Sequence, residues 1–236
     1  MKVGIVGGTG NMGKGLALRW SLKHEIYLGS RYPDSARSVA QNYSRIAKGY
    51  YGNRMKGKIE GNLNAEVVKG SDVAVMTVPA QCAPEVARQV RASLRPEHTV
   101  ISTVVPMRRE GRLFKYDPFS SEQGSGLLSA AEIIAREVEP IPVVSAFQTV
   151  PASYLADLDS VMNIDVLVSG DFEPGLEIVF DLVREIPNLR PLRVGPLATS
   201  RLVEAVTPLL LNAAILNNLK EPSIRIVPWL PSDFEK

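Results

Sequence analysis

Residues 1–31, MKVGIVGGTGNMGKGLALRWSLKHEIYLGSR, contain the pattern that decides the fold. The apolar stretch at 2–6 predicts a short strand, and a helical pattern begins after the glycines that follow it. Gly8, Gly10 and Gly13 form a GxGxxG motif between these two elements. Glycine at these positions permits a tight strand-to-helix turn, the close approach of a pyrophosphate to the backbone, and close packing of the helix on the strand.

The glycine motif has the surroundings that a dinucleotide site requires. A strand precedes it, a helix follows it, and a second predicted strand at 25–28 comes at the distance expected in a βαβ unit. The phosphates would lie at the N-terminus of the helix, where free N–H groups and the helix dipole favour anions. An ordinary glycine-rich turn does not account for three glycines at this spacing. We therefore predict that the chain binds a dinucleotide.

The end of the second strand indicates which dinucleotide binds. An Asp or Glu there would bond the ribose 2′-hydroxyl of NAD, whereas Arg and small polar groups suit the 2′-phosphate of NADP. The strand ends in Leu28-Gly29-Ser30-Arg31, without an acid. Ser30 can donate its hydroxyl, and Arg31 can form charge-assisted bonds to phosphate. We predict NADP, with Arg37 as a further ligand. The alternatives are a solvated loop arginine for Arg31 and a plain surface charge for Arg37.

Composition and charge exclude several classes of protein. The chain has 236 residues, 45% of them hydrophobic, which suffices for one large domain or for one domain and a smaller one. The net charge of +2 gives no indication of nucleic acid as a partner. Cys82 is the single cysteine, and His24 and His98 are the only histidines. The sequence therefore predicts no disulfide within the chain, no metal site and no histidine-based triad.

Three further observations lead to an expected location. The chain starts directly with a strand, so we expect no signal peptide. It has no run of eighteen apolar residues, so we expect no membrane span. Cys82, which we interpret as a small buried residue, fits a reducing compartment. We predict a cytoplasmic protein.

Strands alternate with helices along the chain. The strands are continuous apolar runs, which is typical of a parallel sheet covered on both faces. We predict an α/β protein with a Rossmann-type doubly wound parallel sheet and a smaller C-terminal α/β segment. An NADP-binding domain would span 1–152, and a second domain, 153–236, would close the cofactor cleft. The predicted strands are 2–6, 25–31, 72–78, 99–105, 143–150, 165–169 and 192–194, and the predicted helices are the one that ends near 23, then 35–48, 64–69, 83–94, 129–138, 175–185 and 200–219.

Two polar segments are predicted as loops. The segment 50–61 is basic and rich in glycine, and a short strand that begins at 58 is the alternative for its end. The segment 107–125 is a long connection with several arginines. Loops of this length are usually functional or mobile. Its charges would either grip an acidic ligand tail or be solvated.

The C-terminal region predicts an interface. The helix at 200–219 is apolar nearly all round, so it should be buried or lie between subunits. We expect a homodimer or a higher homo-oligomer that uses this helix or the neighbouring tail. Pro208 should kink the helix. The tail from 221, which contains Trp229, would pack as an arm or be loose.

Six longer stretches carry further information: GGTGNMGKGLALR (7–19), HEIYLGSR (24–31), SDVAVMTVP (71–79), SAAEI (129–133), VVSAFQTVPA (143–152) and LRPLRVGPLATSRLVEAVTPLLLN (189–212). They resemble the archaeal and actinobacterial F420-dependent NADP oxidoreductases, also called 8-hydroxy-5-deazaflavin:NADPH oxidoreductases. The stretches occur in the family's order and extend over nearly the whole chain. The resemblance implies a Rossmann domain and a small C-terminal domain, with NADP and coenzyme F420 meeting in the cleft between them.

By position, the resemblance also implies which residues contact each part of the cofactors. The pyrophosphate would touch Thr9, Gly10, Asn11 and Met12, the 2′-phosphate Ser30 and Arg31, the nicotinamide ribose Thr77, Val78 and Pro79, and the deazaflavin Gln148, Val150 and Pro151. Hydride would pass directly between the two cofactors, so no catalytic residue and no metal ion is required.

Two positions depart from the family's pattern. The family often has histidine where Gln148 stands, and it often has a lysine soon after the Ser-Arg pair, where Arg37 is the nearest basic candidate. Two alternative functions are therefore kept beside hydride transfer to F420. One is another NADPH-dependent reductase, acting on a flavin, a ferric chelate or an imine. The other is a non-catalytic sensor that binds NADP and converts nothing.

Overall fold

The computed structural model describes residues 1–120 and 126–228 of the chain. Its strands are β1 (Lys2–Val6), β2 (Glu25–Ser30), β3 (Lys58–Leu63), β4 (Val73–Met76), β5 (Thr99–Ser102), β6 (Met107–Glu110), β7 (Leu113–Tyr116), β8 (Phe119–Ser120), β9 (Leu127–Leu128), β10 (Val143–Ser145), β11 (Ile164–Gly170) and β12 (Leu189–Gly195). Its helices are α1 (Asn11–Trp20), α2 (Pro33–Tyr51), α3 (Asn64–Lys69), α4 (Ala83–Val90), α5 (Ala130–Val138), α6 (Ala152–Ala156), α7 (Glu173–Arg184) and α8 (Ser200–Asn217).

One eight-stranded sheet organises the structure, with the order β12-β11-β10-β5-β4-β1-β2-β3. From β3 to β10 the strands are parallel, and β11 runs antiparallel to β10. The order β3-β2-β1-β4-β5-β10 is that of a Rossmann fold. The predicted doubly wound α/β architecture is confirmed.

Helices cover both faces of this sheet, as the continuous apolar strands predict. In β4, Val75 packs into one hydrophobic core with Leu16 of α1, whereas the next residue, Met76, packs into a second core with Val86 of α4 and Ile134 of α5. Successive side chains of a strand point to opposite faces, so an apolar strand can fill both cores at once.

The sheet continues into the C-terminal part of the chain. β11 and β12 pair in parallel over seven-residue strands and join the sheet through β10. Both strands are longer than the sequence predicts. The sheet therefore passes through the expected boundary between 1–152 and 153–236, and the division into two domains stays a prediction.

The predicted loop at 107–125 is wrong for its first part, because β6 and β7 form an antiparallel hairpin there. Gly111, at φ +61°, makes the turn. The backbone of Phe114 exchanges two hydrogen bonds with the side chain of Asn212 in α8, at 2.7 and 2.8 Å. This partner is distant in sequence, so no local pattern indicates it. The prediction is also wrong at Phe119–Ser120, which form β8 and pair with β9. The last part of the predicted loop, 121–125, lies outside the described residues.

Other boundaries also differ from the predictions. The strand at 143–150 ends at Ser145, because Phe147 adopts φ +73° and the chain turns there. The predicted loop at 50–61 is shorter: α2 continues to Tyr51, and β3 occupies 58–63, as the alternative interpretation had it. Pairing of β3 with β2 along its whole length explains this strand in a polar stretch.

Helix α8 has one buried and one exposed side. Glu204 is fully buried, and its carboxylate accepts hydrogen bonds from the N–H groups of Ala130 (2.9 Å) and Ala131 (3.1 Å) at the start of α5. Burial raises the pKa of Glu204 from 4.5 to about 8, although these two bonds oppose the shift. On the other side Leu202 and Leu209 are 72% and 65% exposed.

The sequence led us to expect no membrane span, but α8 is a candidate for one. Together with the turn before it, the helix spans Leu197–Asn217 and is long and apolar enough to cross a membrane by length and composition, with 22% of its most apolar window buried. A single helix of this kind is weak evidence. The kink expected at Pro208, which lies within α8, stays a prediction.

Candidate functional site

Contacts within the protein shape the glycine turn between β1 and α1. Gly7 has φ +71°, a left-handed conformation that favours glycine. The N–H of Gly8 donates to the carbonyls of Ile5 (3.2 Å) and Gly29 (3.0 Å), which ties the turn to β1 and β2. A Cβ on Gly13 would lie 2.4 Å from the carbonyl oxygen of Gly8. The helix therefore approaches the turn without room for a side chain at Gly13.

Packing within the protein does not explain the remaining glycine of the motif, Gly10. Its φ of −82° and ψ of 178° suit any residue. Beyond its chain neighbours, the nearest described atom to a Cβ there would be the Gly7 carbonyl oxygen, at 3.9 Å. Gly10 is exposed, as is Asn11 after it, whereas Thr9 and Met12 are half-buried. An open backbone position of this kind fits the close approach of a ligand.

The start of α1 fits an anionic ligand in particular. Gly10 is the N-cap residue, and the first turn has neither an acidic residue nor a side-chain hydrogen bond to the cap. The first N–H groups of a helix have no partner within it and carry the positive end of the helix dipole. The turn thus has the features of a pyrophosphate cradle, and the residues present fit a dinucleotide.

Two polar contacts that sequence reasoning missed hold this turn. The side-chain oxygen of Asn64, the first residue of α3, accepts a hydrogen bond from the N–H of Gly7 at 3.1 Å. The hydroxyl of Tyr43 in α2 donates to the carbonyl of Thr9 at 3.3 Å. Both partners are more than thirty residues away along the chain. A single sequence contains no local signal for either of them.

Arg31 and Arg37, the two arginines predicted to bind the 2′-phosphate, have different surroundings near the end of β2. The hydroxyl of Ser30 accepts a hydrogen bond from the N–H of Tyr32 at 3.2 Å. The guanidinium of Arg31 lies over the Tyr32 ring, 5.8 Å from its centroid, and the side chain is exposed. By contrast, Arg37 pairs with Asp34 at 2.7 Å. Arg31 is therefore the better placed of the two for a phosphate beside Ser30.

The predicted nicotinamide side lies at the end of β4, next to the glycine turn. Thr77 directs both its N–H (3.0 Å) and its hydroxyl (2.9 Å) to the carbonyl of Val6. A Cβ on Gly7 would lie 2.5 Å from a methyl carbon of Val78. Pro79 is exposed and precedes the short turn that leads to α4. The structure thus brings Thr77 and Val78 against the end of β1 and the start of the glycine turn.

The predicted deazaflavin side is more deeply buried than the sequence indicates. Gln148 is 5% and Val150 4% exposed, and Val150 belongs to the hydrophobic core, whereas Pro151 is half-buried. The amide nitrogen of Gln148 donates to the carbonyl of Ser102 (2.8 Å) and to the hydroxyl of Ser145 (2.8 Å). These three residues connect the ends of β5 and β10. The assigned contacts with the ring stay predictions.

Helix α1 joins the glycine turn to this second region. A Cβ on Gly15 would lie 2.4 Å from the Cβ of Leu155 in α6, so the two helices touch almost at the backbone. Arg19, only 8% exposed, donates hydrogen bonds of 2.6–3.3 Å to four carbonyls in and after α6. Since α6 follows Pro151 directly, the helix that begins at the candidate phosphate cradle also packs against the other side of the candidate cleft.

Both histidines make structural contacts. His24 lies between the amino terminus of Met1 (3.1 Å) and the carboxylate of Glu185 (2.5 Å). His98 contacts the N–H of Arg95 and the carbonyl of Ser71. Within residues 1–120 and 126–228, no three His, Cys, Asp or Glu side chains are grouped to hold a metal ion.

Comparisons with known proteins agree with this arrangement. Residues 2–106 match the family model described as NADP oxidoreductase coenzyme F420-dependent. The chain is 32% identical to the F420-dependent NADP reductase of Methanocaldococcus jannaschii over 231 residues, which cover 96% of this chain and 98% of the relative. It is also 32% identical to the F420-dependent NADP reductase of Methanothermobacter marburgensis over 228 residues, with the same coverage.

Two solved structures have a similar fold. A protein of Arthrobacter sp. FB24 matches with a TM-score of 0.77 at 19% identity, over 96% of this chain and 99% of that one. The 3-hydroxyisobutyrate dehydrogenase of Mycobacterium tuberculosis matches with a TM-score of 0.60 at 15% identity, over 91% of this chain and 59% of that one. At these identities the likeness extends to the fold alone.

The different surroundings of two glycines give a paired prediction. Gly13→Ala should destabilise the protein by about 1–3 kcal/mol, the cost of overpacking, because its Cβ would meet the Gly8 backbone. Gly10→Ala should leave the free energy of unfolding nearly unchanged and weaken dinucleotide binding by about tenfold, or about 1.4 kcal/mol. Denaturant unfolding and calorimetric titration with NADPH measure the two effects. Tight binding by Gly10→Ala would contradict the assignment of the cradle.

Proposed function

Because this chain belongs to the family of F420-dependent NADP oxidoreductases, we propose that it transfers a hydride between NADP(H) and the deazaflavin coenzyme F420. The observation that carries the proposal is the agreement, over 96% of the chain, with relatives named F420-dependent NADP reductases. The open backbone at Gly10, at the start of an uncapped helix, supports binding of a dinucleotide. The absence of an acid at the end of β2 supports NADP over NAD.

The protein's part in this reaction is to bind and orient. When bound, the nicotinamide and the deazaflavin supply the hydride donor and acceptor. The start of α1 would hold the pyrophosphate through Thr9, Gly10, Asn11 and Met12. Ser30 and Arg31 would hold the 2′-phosphate, since a guanidinium and a hydroxyl are its usual donors.

The ends of β4 and β10 would form the two walls of the hydride slot. Thr77, Val78 and Pro79 follow β4, and Gln148, Val150 and Pro151 follow β10. All six side chains are uncharged, which suits two flat ring systems that must stack closely in a dry site. The side chain of Gln148 is held by Ser102 and Ser145 and would present a fixed amide to the deazaflavin edge.

An electron-acceptor screen tests the proposal. We expect the purified protein to oxidise NADPH at least about a hundredfold faster with F420 than with FMN or a ferric chelate. The loss of deazaflavin absorbance measures the reaction with F420. The factor corresponds to about 2.7 kcal/mol of transition-state discrimination. Faster reaction with FMN or the chelate would indicate another reductase. Tight NADPH binding without turnover of any acceptor would indicate a sensor.

Cofactor choice gives a sharper prediction. Arg31→Ala should weaken NADPH binding by about 1.5–3 kcal/mol, the value of a hydrogen bond to a charged group, and leave NADH binding nearly unchanged. Arg37→Ala is the matched control, because Arg37 is paired with Asp34 and should lose far less affinity. Calorimetric titration of both cofactors checks this. Equal losses for NADPH and NADH, or a wild type that prefers NADH, would remove the assignment.

The exposed side of α8 supports a homodimer. Leu202, Leu209 and Leu216 are 72%, 65% and 56% exposed and are spaced seven residues apart, and no charged residue occurs between Ala205 and Leu219. A seven-residue apolar repeat is the pattern with which two helices pack side by side. We propose that α8 of a second copy covers this stripe, and that the dimer is cytoplasmic, where the single free thiol of Cys82 stays reduced.

Leu209→Glu should convert the dimer to a monomer without loss of folding, because the side chain is exposed within one copy. Light scattering at micromolar concentration measures the mass. Val161→Glu is the control, since Val161 is 81% exposed and lies outside α8. A wild type that is monomeric, or one that floats with lipid vesicles through α8, would contradict the proposed dimer.

A further inference from the structure

The turn that follows β10 is strained and deeply buried. Phe147, fully buried, has φ +73°, which is unfavourable for a bulky residue. Its ring packs edge-on against Trp20, with 5.7 Å between centroids. A conformation of this kind is strained and persists only where the surroundings hold it. The contacts around the turn must therefore supply that support.

Three successive carbonyls of this turn have three separate donors. The carbonyl of Phe147 accepts from the N–H of Val150 at 3.1 Å, within the turn itself. The carbonyl of Gln148 accepts from the hydroxyl of Thr207 in α8 at 2.8 Å. The carbonyl of Thr149 accepts from the hydroxyl of Ser223, beyond α8, at 2.7 Å. Two of the three bonds thus come from the last thirty residues of the chain.

The segment that carries Ser223 is itself fixed to the sheet. The N–H of Asp165 in β11 donates to the carbonyl of Ile224 at 2.9 Å, and its carboxylate accepts from the N–H of Ile226 at 2.6 Å. The same buried carboxylate pairs with Arg190 at 2.8 Å and with Arg225 at 2.7 Å. The backbone on the C-terminal side of Ser223 is therefore anchored to the sheet, and the hydroxyl has a defined position.

The turn is connected at both of its ends to elements that border the candidate cleft. On one side the amide of Gln148 bonds the end of β5. On the other, Pro151 leads into α6, which packs on α1. A shift of the turn would therefore displace the deazaflavin wall relative to the helix that holds the pyrophosphate.

We infer that Thr207 and Ser223 are positioning residues for hydride transfer, and that their hydroxyls hold the turn at 147–150 where the deazaflavin stacks. The inference rests on the proposed function for the identity of the acceptor. Each hydroxyl donates to a carbonyl in a residue that is at most 5% exposed. Removing it leaves a buried acceptor unpaired, which favours movement of the turn.

The test compares variants that lack each hydroxyl with variants that retain it. Thr207→Val and Ser223→Ala should each raise the KM for F420 or lower the corresponding kcat/KM by about threefold to tenfold, the range that one hydrogen bond gives. The dissociation constant for NADPH should stay unchanged. Thr207→Ser and Ser223→Thr keep the hydroxyl and should stay within about twofold of wild type. Ser93→Ala, at the opposite end of the sheet and without a side-chain bond in the described structure, is the matched control.

Amide hydrogen exchange supplies a readout that does not need catalysis. Both hydroxyl-free variants should speed amide exchange at 146–150 and leave exchange in β1 unchanged. Unchanged exchange there, uniform acceleration through the whole sheet, or equal kinetic losses in the hydroxyl-retaining variants would overturn the inference. A wild type that reduces no F420 would instead remove the proposed function, and exchange at 146–150 would still decide whether the hydroxyls hold the turn.

Discussion

The closest contacts of helix α1 are the constraint on which the rest of the structure depends. At its start, Gly13 meets the backbone of Gly8, and in its middle Gly15 meets Leu155 of α6. Neither approach leaves room for a Cβ. Arg19 then fixes the far side of α6 through its carbonyls. One ten-residue helix thus carries the candidate phosphate cradle at its N-terminus and packs against α6, which follows the predicted deazaflavin side.

Packed backbone and hydrogen bonds thus connect the two predicted sides of the candidate cleft. The sheet runs without interruption through β10 into β11 and β12, and the turn at 147–151 is bonded to β5, α8 and the C-terminal segment. For a reaction that depends on two stacked rings, small displacements are costly, because orientation supplies much of the rate. A rigid frame is therefore consistent with the proposed function, in which no side chain of the protein acts as an acid, a base or a nucleophile.

The sequence predicted those features of the fold that depend on residues close together in the chain. Apolar periodicity indicated most strands and helices, and the glycine spacing indicated the tight turn between β1 and α1, since both depend on neighbours in the chain. The contacts of Asn64, Tyr43 and Ser223 could not be predicted, because each joins segments more than thirty residues apart. The hairpin at β6–β7 was missed for the same reason, since Asn212 holds it from α8. The early end of β10 depends on a left-handed Phe147, which no propensity favours.

The resemblance gives the position of Gln148, and the structure adds the orientation of its side-chain amide. The carbonyl of Ser102 can accept but not donate, so the amide group that faces it must be the nitrogen. The same nitrogen also reaches the hydroxyl of Ser145. The N–H groups are thereby committed, and the carboxamide oxygen is left as an acceptor of fixed direction. A glutamine held in this way differs from a histidine, since it has one role at every pH and takes up no proton. The buried oxygen can accept from an N–H or an O–H donor, and its direction is fixed only while the turn that carries Gln148 stays in place.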